Sequence, residues 1–431
     1  MIDYINRARR AHGRLAPMRA ARSRFKQFAF GRQWGDIMTT PDGERLTEGE
    51  YASLNGRQPL TNNMIHRLLA TIVGHFRSRQ DPLETPADTR NRIDELDARM
   101  FEEFLISGCA IQRVVNERRP AGSGLWVDNV NPDDFFCSEI RDPRSLDVEL
   151  IGMFHSWSPA ETMARFAGGS KARADEIGRL YADSERCRVI EIWTLEASAR
   201  FRVHDPLQAS VSYVAANRES EIIALNRKRA KRGLPKVESR LEYTTAWVGR
   251  FLTPEGHELR RVEADHHPFA LKFYPLLDGE IHPFIEGLID QQKHVNRLIT
   301  LIDNMMATSA KGVLLFPENQ LCEDLDWSDV RRLWASYDGV IPYNPQSGEP
   351  GPQQVVTNPA TSGAYELVNL EMRLFEKAGG VSDALRGQPG AAAGNSATLF
   401  DAQTRNSMAA LADIFRSFDD FRAARNTLLE Q

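Results

Sequence analysis

Apolar residues recur at helical spacing in several stretches of this chain, and the longest such stretch is 282–316. Ile285, Leu288, Ile289, Val295, Leu298, Ile299, Ile302, Met305 and Met306 follow one another there at steps of three and four, the spacing that lines one face of a helix. Pro283 suits a first helical position, where its missing N–H has no partner to lose, and Lys311-Gly312 suits a cationic last turn with a left-handed stop. The pattern predicts one helix over 283–310, about 40 Å long at 1.5 Å per residue. The short strand GVLLFP follows. The opposite face holds Asp290, Lys293, His294, Arg297 and Asp303, with Asp290 and His294 at an i,i+4 step. A one-sided stripe of this length needs a partner surface of similar length.

The remaining pattern is mixed. Helices are predicted at 59–79 (Ile65, Leu68, Leu69, Ile72, Val73, Phe76) and at 88–107 (Ile93, Leu96, Met100, Phe101, Phe104), the second ended by Gly108. The β-branched run 109–115 pairs with 125–130 as a hairpin across RRPAGSG, and 152–157 is a further strand. Ser158-Pro159 opens a helix running to about Asp183, with an irregularity at Gly168-Gly169. Residues 188–280 read as a small mixed insert: strands, one strand leading into a helix, and a hairpin turned at Pro254-Glu255-Gly256. Beyond the long helix, Asp326-Trp327-Ser328-Asp329 caps a short helix and GVIPYN reads as a strand. Residues 344–363 read as a Pro/Gly-rich loop, 364–378 as a helix and 386–395 as a second loop. A last helix runs from the Ser396 cap to the end, with no stop signal before Gln431.

Composition narrows the class. With 431 residues, 42% of them hydrophobic, the chain is long enough for two or three domains and a sizeable core. No run approaches a membrane span, and no apolar leader opens the chain. Cys109, Cys137, Cys187 and Cys322 stand at no metal-binding or disulfide spacing, which fits a reducing compartment. The net charge of −5 hides two basic clusters. Residues 1–30 form a basic arm, rich in Arg and with Asp3 as its one acid. Arg227, Lys228, Arg229, Lys231 and Arg232 crowd one stretch of the insert.

Catalytic signatures are missing from the sequence. Gly168-Gly169-Ser170-Lys171 lacks the spacing of a phosphate loop, and Asp265-His266-His267 has no second histidine cluster. Asp324 with Asp326, and Asp133 with Asp134, are carboxylate pairs of the kind two-metal nucleases use; turn and capping roles account for them more simply. The residues themselves predict an α+β chain with no catalytic residue, no metal site and no cofactor, acting through geometry.

The order of several motifs resembles the portal proteins of tailed bacteriophages, closest to the podovirus type. The early G-R-Q-W, the helix PLTNNMIHRLLATIVGHFRSR, the hairpin SGCAIQRVV and the link NPDDFFCSEIRDPRSLD carry the resemblance. So do IEGLIDQQKHVNRLITLIDNMMATSAKGVLLFP and the late G-V-S…NSAT…Q block. It covers the chain from about Gly31 to the end.

The resemblance implies a wing, a two-helix stem, an α/β clip and a helical crown. After the arm it places the first part of the wing at 31–157, stem helices at 158–187 and 282–310, and the clip at 188–281. The second part of the wing is 311–385, with its long loop at 344–363, and the crown starts in 386–431. It implies a ring of about twelve subunits at one capsid vertex, in the virion, assembled in the host cytoplasm. Double-stranded DNA passes through it without sequence preference, and its partners are terminase, the capsid and tail adaptor proteins, with no membrane. On this reading Ile285, Leu288, Ile289, Val295, Leu298, Ile299, Ile302 and Met305 are assembly residues of the stem. Lys293 and Arg297 form its polar or channel face, and Arg227, Lys228, Arg229, Lys231 and Arg232 dock a partner at the clip. The alternatives are a metal-dependent DNA-processing enzyme with unrecognised ligands and a monomeric helical adaptor.

Overall fold

The computed structural model describes residues 1–79, 86–119, 121–182, 184–309, 313–335, 339–355, 361–380 and 409–430. Helices α1 (Ile2–Arg14) and α2 (Ala16–Ala29) open the chain, followed by the hairpin β1 (Ile37–Thr39) and β2 (Arg45–Thr47), α3 (Glu48–Leu54) and α4 (Met64–Ser78). Next come α5 (Pro86–Asn91), α6 (Ile93–Ser107), β3 (Cys109–Arg119), β4 (Gly122–Asn129), β5 (Phe135–Cys137) and β6 (Leu150–Trp157). Helices α7 (Pro159–Phe166) and α8 (Lys171–Leu180) precede β7 (Cys187–Asp205), β8 (Ser210–Ala215), α9 (Glu219–Lys231), β9 (Glu238–Leu252), β10 (Glu258–Ala264) and β11 (Phe269–Phe273). The short strands β12 (Leu276–Leu277) and β13 (Glu280–Ile281) lead to α10 (Ile289–Ser309), β14 (Val313–Leu315), α11 (Trp327–Ala335), β15 (Gln353–Val355), α12 (Thr361–Ala378) and α13 (Ala412–Glu430). The α+β class expected from the pattern is the one found. The chain forms two compact units, the first of residues 1–24, 73–284 and 412–431 and the second of 25–72 and 285–411.

The first unit is layered. A six-stranded antiparallel sheet in the order β10-β9-β7-β6-β5, with β8 also on β7, faces a three-stranded sheet β11-β3-β4. Alternate residues of a strand point to opposite faces. Thus Phe135, Cys137, Ile151 and Trp193 meet Cys109, Ile111, Phe269 and Phe273 between the sheets. Phe136, Leu150, Ile190, Ile192 and Leu252 face the other way, onto Ile5, Ala8 and Ala11 of α1. The two alanines let α1 lie close, and burying Ile5 contributes roughly 2 kcal/mol. The first half of the expected basic arm is therefore a helix packed on the sheet. Outside the small sheet, α6 and α13 share an aromatic core, with Phe418 at 4.9 Å from Phe101 and 5.6 Å from Phe104 between ring centroids.

Local chemistry explains the element ends. Gly108 takes the left-handed φ of +67° that stops α6, and a Cβ there would lie 2.6 Å from the Tyr274 carbonyl oxygen, so glycine is required twice over. The hairpins expected at 109–130 and at 254–256 are present as β3–β4 and β9–β10. The helix expected over 88–107 is broken at Arg92, whose φ of +51° separates α5 from α6. The helix expected over 159–183 is likewise divided. Gly168 and Gly169 both have positive φ, and Ser170 caps a new helix by accepting the Arg173 N–H. Helices of eight and ten residues result. They pack through Phe166, Ile177 and Tyr181 on Val189, Phe251 and Leu259 of the large sheet.

In the second unit, α10 begins at Ile289 after a 3-10 turn at Glu286–Leu288, so Pro283 is not its first residue. Its 21 residues span about 31 Å. Helix α12 packs along α10 and buries Val368 and Phe375. The end of α12 approaches α4 so closely that a Cβ at Gly379 would lie 2.7 Å from Leu68 Cδ2. The strand expected at GVIPYN has no regular structure at 339–344. The strand character sits instead inside the expected loop, where β15 pairs with β14. The loop 386–395, the Ser396 cap and the stop at Lys311-Gly312 lie outside the described residues.

Candidate functional site

Helix α10 carries three kinds of face. Of its apolar stripe, Ile285, Leu288, Ile289, Val295 and Ile302 are buried, while Leu298, Ile299 and Met305 are half-buried. The stripe thus finds much of its partner surface within its own chain. Lys293 does not stand free: its Nζ lies 2.7 Å from Asp36 and 2.5 Å from Glu48. Arg297 also reaches Glu48, at 3.0 Å, but stays half-exposed. His294 lies 3.8 Å from Glu371 of α12.

The third face escaped the sequence reading. Gln292, Asn296 and Thr300 are buried and hold the chain that enters α4. Gln292 Oε1 accepts the N–H groups of Met64 and Ile65 at 2.9 and 3.2 Å, and its Nε2 donates to the Asn62 carbonyl at 2.7 Å. Asn296 Oδ1 accepts the Asn62 N–H, and Thr300 Oγ1 accepts that of Leu60, both at 3.0 Å. The first N–H groups of a helix have no partner within it. Here a distant helix supplies them. The i,i+4,i+8 spacing of the three polar residues was the available signal.

The insert expected over 188–281 divides at mid-strand. Its far half, β8 and α9 with the adjoining parts of β7 and β9, has a small core of Val203, Ile222 and Val237. The basic run lies in and just past the last turns of α9, where Arg227, Lys228, Lys231 and Arg232 are exposed. Arg229 differs, because its guanidinium clamps Asp205 at 2.8 and 2.5 Å. Those hydrogen bonds hold the Asp205 carboxyl down to about 2.

A family model described as "Phage P22-like portal protein" matches residues 87–426, well over half of the chain. The chain belongs to the P22-like phage portal proteins. No curated protein matches it. Portal proteins are structural components of the virion, not enzymes as a class. No described helix of this portal protein is long and apolar enough to cross a membrane.

Asp326, Asp133 and His267, among the residues weighed for catalysis, have structural partners in this portal protein. Asp326 accepts the Asp329 N–H at 2.8 Å and caps α11. Asp133 pairs at 2.8 Å with Arg22, whose guanidinium also meets Glu103 at 2.6 Å. His267 is packed edge-on to Trp247 at 4.8 Å, and burial pushes it down to about 4. Burial pushes the Cys137 thiol up to about 12, far from a reactive thiolate. Among the described residues no group of three His, Cys, Asp or Glu side chains is placed to hold a metal.

Proposed function

We propose that this portal protein forms a closed ring at one capsid vertex, of about twelve subunits. Its channel passes double-stranded DNA inward under a separate terminase motor and outward into the tail. The family match over 87–426 carries this reading. Helix α10 serves as a stem element, and Leu298, Ile299 and Met305, left half-buried by the unit, are the members of its stripe that meet a neighbour. The segment 188–281 serves as the clip, with Arg227, Lys228, Lys231 and Arg232 turned to terminase or a tail adaptor. Arg297 is the candidate for the channel face. Wing roles fall to 31–157 and 311–385. Helix α13 serves the body whose aromatic core it completes. Contacts with DNA are to phosphates, weak and salt-sensitive, because base-specific contacts would stall a sliding duplex. The chain itself turns over no substrate.

Mass in solution tests this. Light scattering and negative-stain imaging should give rings near twelve times 48.7 kDa, and Leu298→Asp should lower ring yield by placing a charge in the contact. A chain that stays monomeric across concentrations and salts would sink the ring, and with it the channel.

A further inference from the structure

A cavity of about 700 Å³ lies in the first unit, between the β3–β4 hairpin, β6 and α7. Small-molecule sites span roughly 300–1,000 Å³. Met153, His155 and Trp157 line it from β6, at the alternate positions that share one face of a strand. The Trp157 ring is stacked on that of His155, with 4.0 Å between centroids. Ala160 and Ala164 of α7 line the cavity as well, and their small side chains leave its apolar side open.

The charges around this cavity do not cancel evenly. Arg119 takes Asp128 at 2.8 and 2.5 Å, and Arg165 takes Glu161 at 2.9 Å. Glu117 pairs with both arginines. Two further guanidiniums line the cavity. Arg118 is exposed and has no ion pair or side-chain hydrogen bond among the described residues. Arg113 is only 4% exposed. Its Nε lies 2.8 Å from Glu191 and its Nη1 4.0 Å from Asp128, but neither contact is a hydrogen bond. None of its five N–H donors has an acceptor among the described residues. Buried donors in native proteins nearly always have one. The start of α7 adds a backbone donor: Pro159 has no N–H, Ser158 takes those of Glu161 and Thr162 at 3.2 and 2.9 Å, and the Ala160 N–H has no acceptor among the described residues. Negative charge is favoured at such a helix end.

We propose that this cavity binds a small organic oxyanion. One phosphate or carboxylate head is held by Arg113, Arg118 and the start of α7, and its apolar body lies against Met153, Trp157 and Ala164. The fork of a guanidinium matches two oxygens of such a head. The volume admits one small molecule, so the site is separate from any contact with a passing duplex. Because the hairpin belongs to the small sheet and β6 to the large one, the occupant ties the two sheets together and raises the stability of the first unit.

Titrations of the full-length chain by ligand-observed NMR, with thermal melts, test the site, using phenyl phosphate, benzoate and inorganic phosphate as probes. Phenyl phosphate or benzoate should bind and raise the melting temperature as its concentration rises. The tighter of the two identifies the head. Inorganic phosphate, which lacks the body, should bind at least about tenfold more weakly than that probe. Arg118→Gln should weaken the better probe about tenfold, and Ala164→Phe, which fills the apolar side, should abolish its binding. Both positions are exposed, so each variant should melt like wild type without ligand. Arg141→Gln, an exposed arginine outside the cavity, should bind like wild type. No binding of either organic probe at millimolar concentration would overturn the site, as would wild-type binding by both folded cavity variants. Equal binding of inorganic phosphate, or equal losses from Arg141→Gln and Arg118→Gln, would also overturn it.

Discussion

The side-chain carbonyl of Gln292 accepts the backbone N–H of Met64 at 2.9 Å, across 228 residues of sequence. The longest helix of the second unit thereby caps another helix with a buried amide. Leucine at this position would leave the buried Ile65 N–H without an acceptor and reduce the Met64 N–H and the Asn62 carbonyl to the 2.9 Å bond they make with each other. An unmade buried hydrogen bond costs about 1–3 kcal/mol. Gln292→Leu should therefore lower the urea midpoint of the second unit and speed amide exchange at residues 62–65, with the first unit unchanged. Unchanged exchange at those amides would show that the cap contributes nothing.

The two sheets of the first unit are joined by a buried ionic cluster. Glu191 is fully buried, 2.8 Å from Arg113 and 2.7 Å from His155, and accepts the Trp193 indole N–H at 2.9 Å. Burial alone would raise its carboxyl, but Arg113, His155 and Trp193 outweigh burial and hold it down to about 2. A carboxyl depressed in the folded state contributes stability above its unfolded value near 4.5, and that stability is lost as pH falls toward 2. Burial also lowers His155. Unfolding then takes up a proton below about 6.5, which weakens the fold in the same direction. Melting temperature should fall on acidification below pH 6.5 and more steeply below 4.5. Glu191→Gln should flatten the lower limb while costing about 3 kcal/mol at neutral pH, because it leaves buried Arg113 with only Asp128, 4.0 Å away, as a counter-charge. A mutant with the wild-type acid profile would reject the assignment.

Helix α13 is held by charge as well as by phenylalanines. Asp97 is fully buried and meets Arg425 at 2.5 Å and Arg422 at 3.0 Å. Arg425→Leu should destabilise the first unit by about 3 kcal/mol, since a buried carboxylate loses its nearest partner. Combining it with Asp97→Asn should recover much of that loss. A double-mutant cycle with no coupling between the two sites would contradict the pair.

The basic run should split in two. Replacing Arg227, Lys228, Lys231 and Arg232 with Gln should leave the melting temperature within about 1 °C, as expected for exposed surface positions. The same variant should weaken docking of terminase or adaptor more than binding of duplex DNA. Arg229→Gln alone should loosen the lobe, because Arg229 clamps Asp205, and limited proteolysis near 205–210 should report it. Normal docking with lost DNA binding in the fourfold variant would move these residues from the clip to the channel.

Much of the architecture was legible in the sequence because it rests on local rules. The 109–130 hairpin, the stop at Gly108, the mixed insert and the long amphipathic helix follow from periodicity, turn residues and caps that act within a few positions. The portal relationship was legible too, through the order of motifs. What tertiary structure decided was the direction in which each side chain is used. Lys293 reads as a solvent-facing cation, yet the fold brings Asp36 and Glu48 to it from 257 and 245 positions away. Gln292, Asn296 and Thr300 read as neutral polar residues, and only the approach of 60–65 turns them into a buried set of hydrogen bonds. Residues 1–30 read only as a basic arm because nothing local shows that Ile5, Ala8 and Ala11 will meet a sheet. Sequence spacing specifies which residues share a face; what that face meets depends on contacts hundreds of residues apart, which no local pattern encodes.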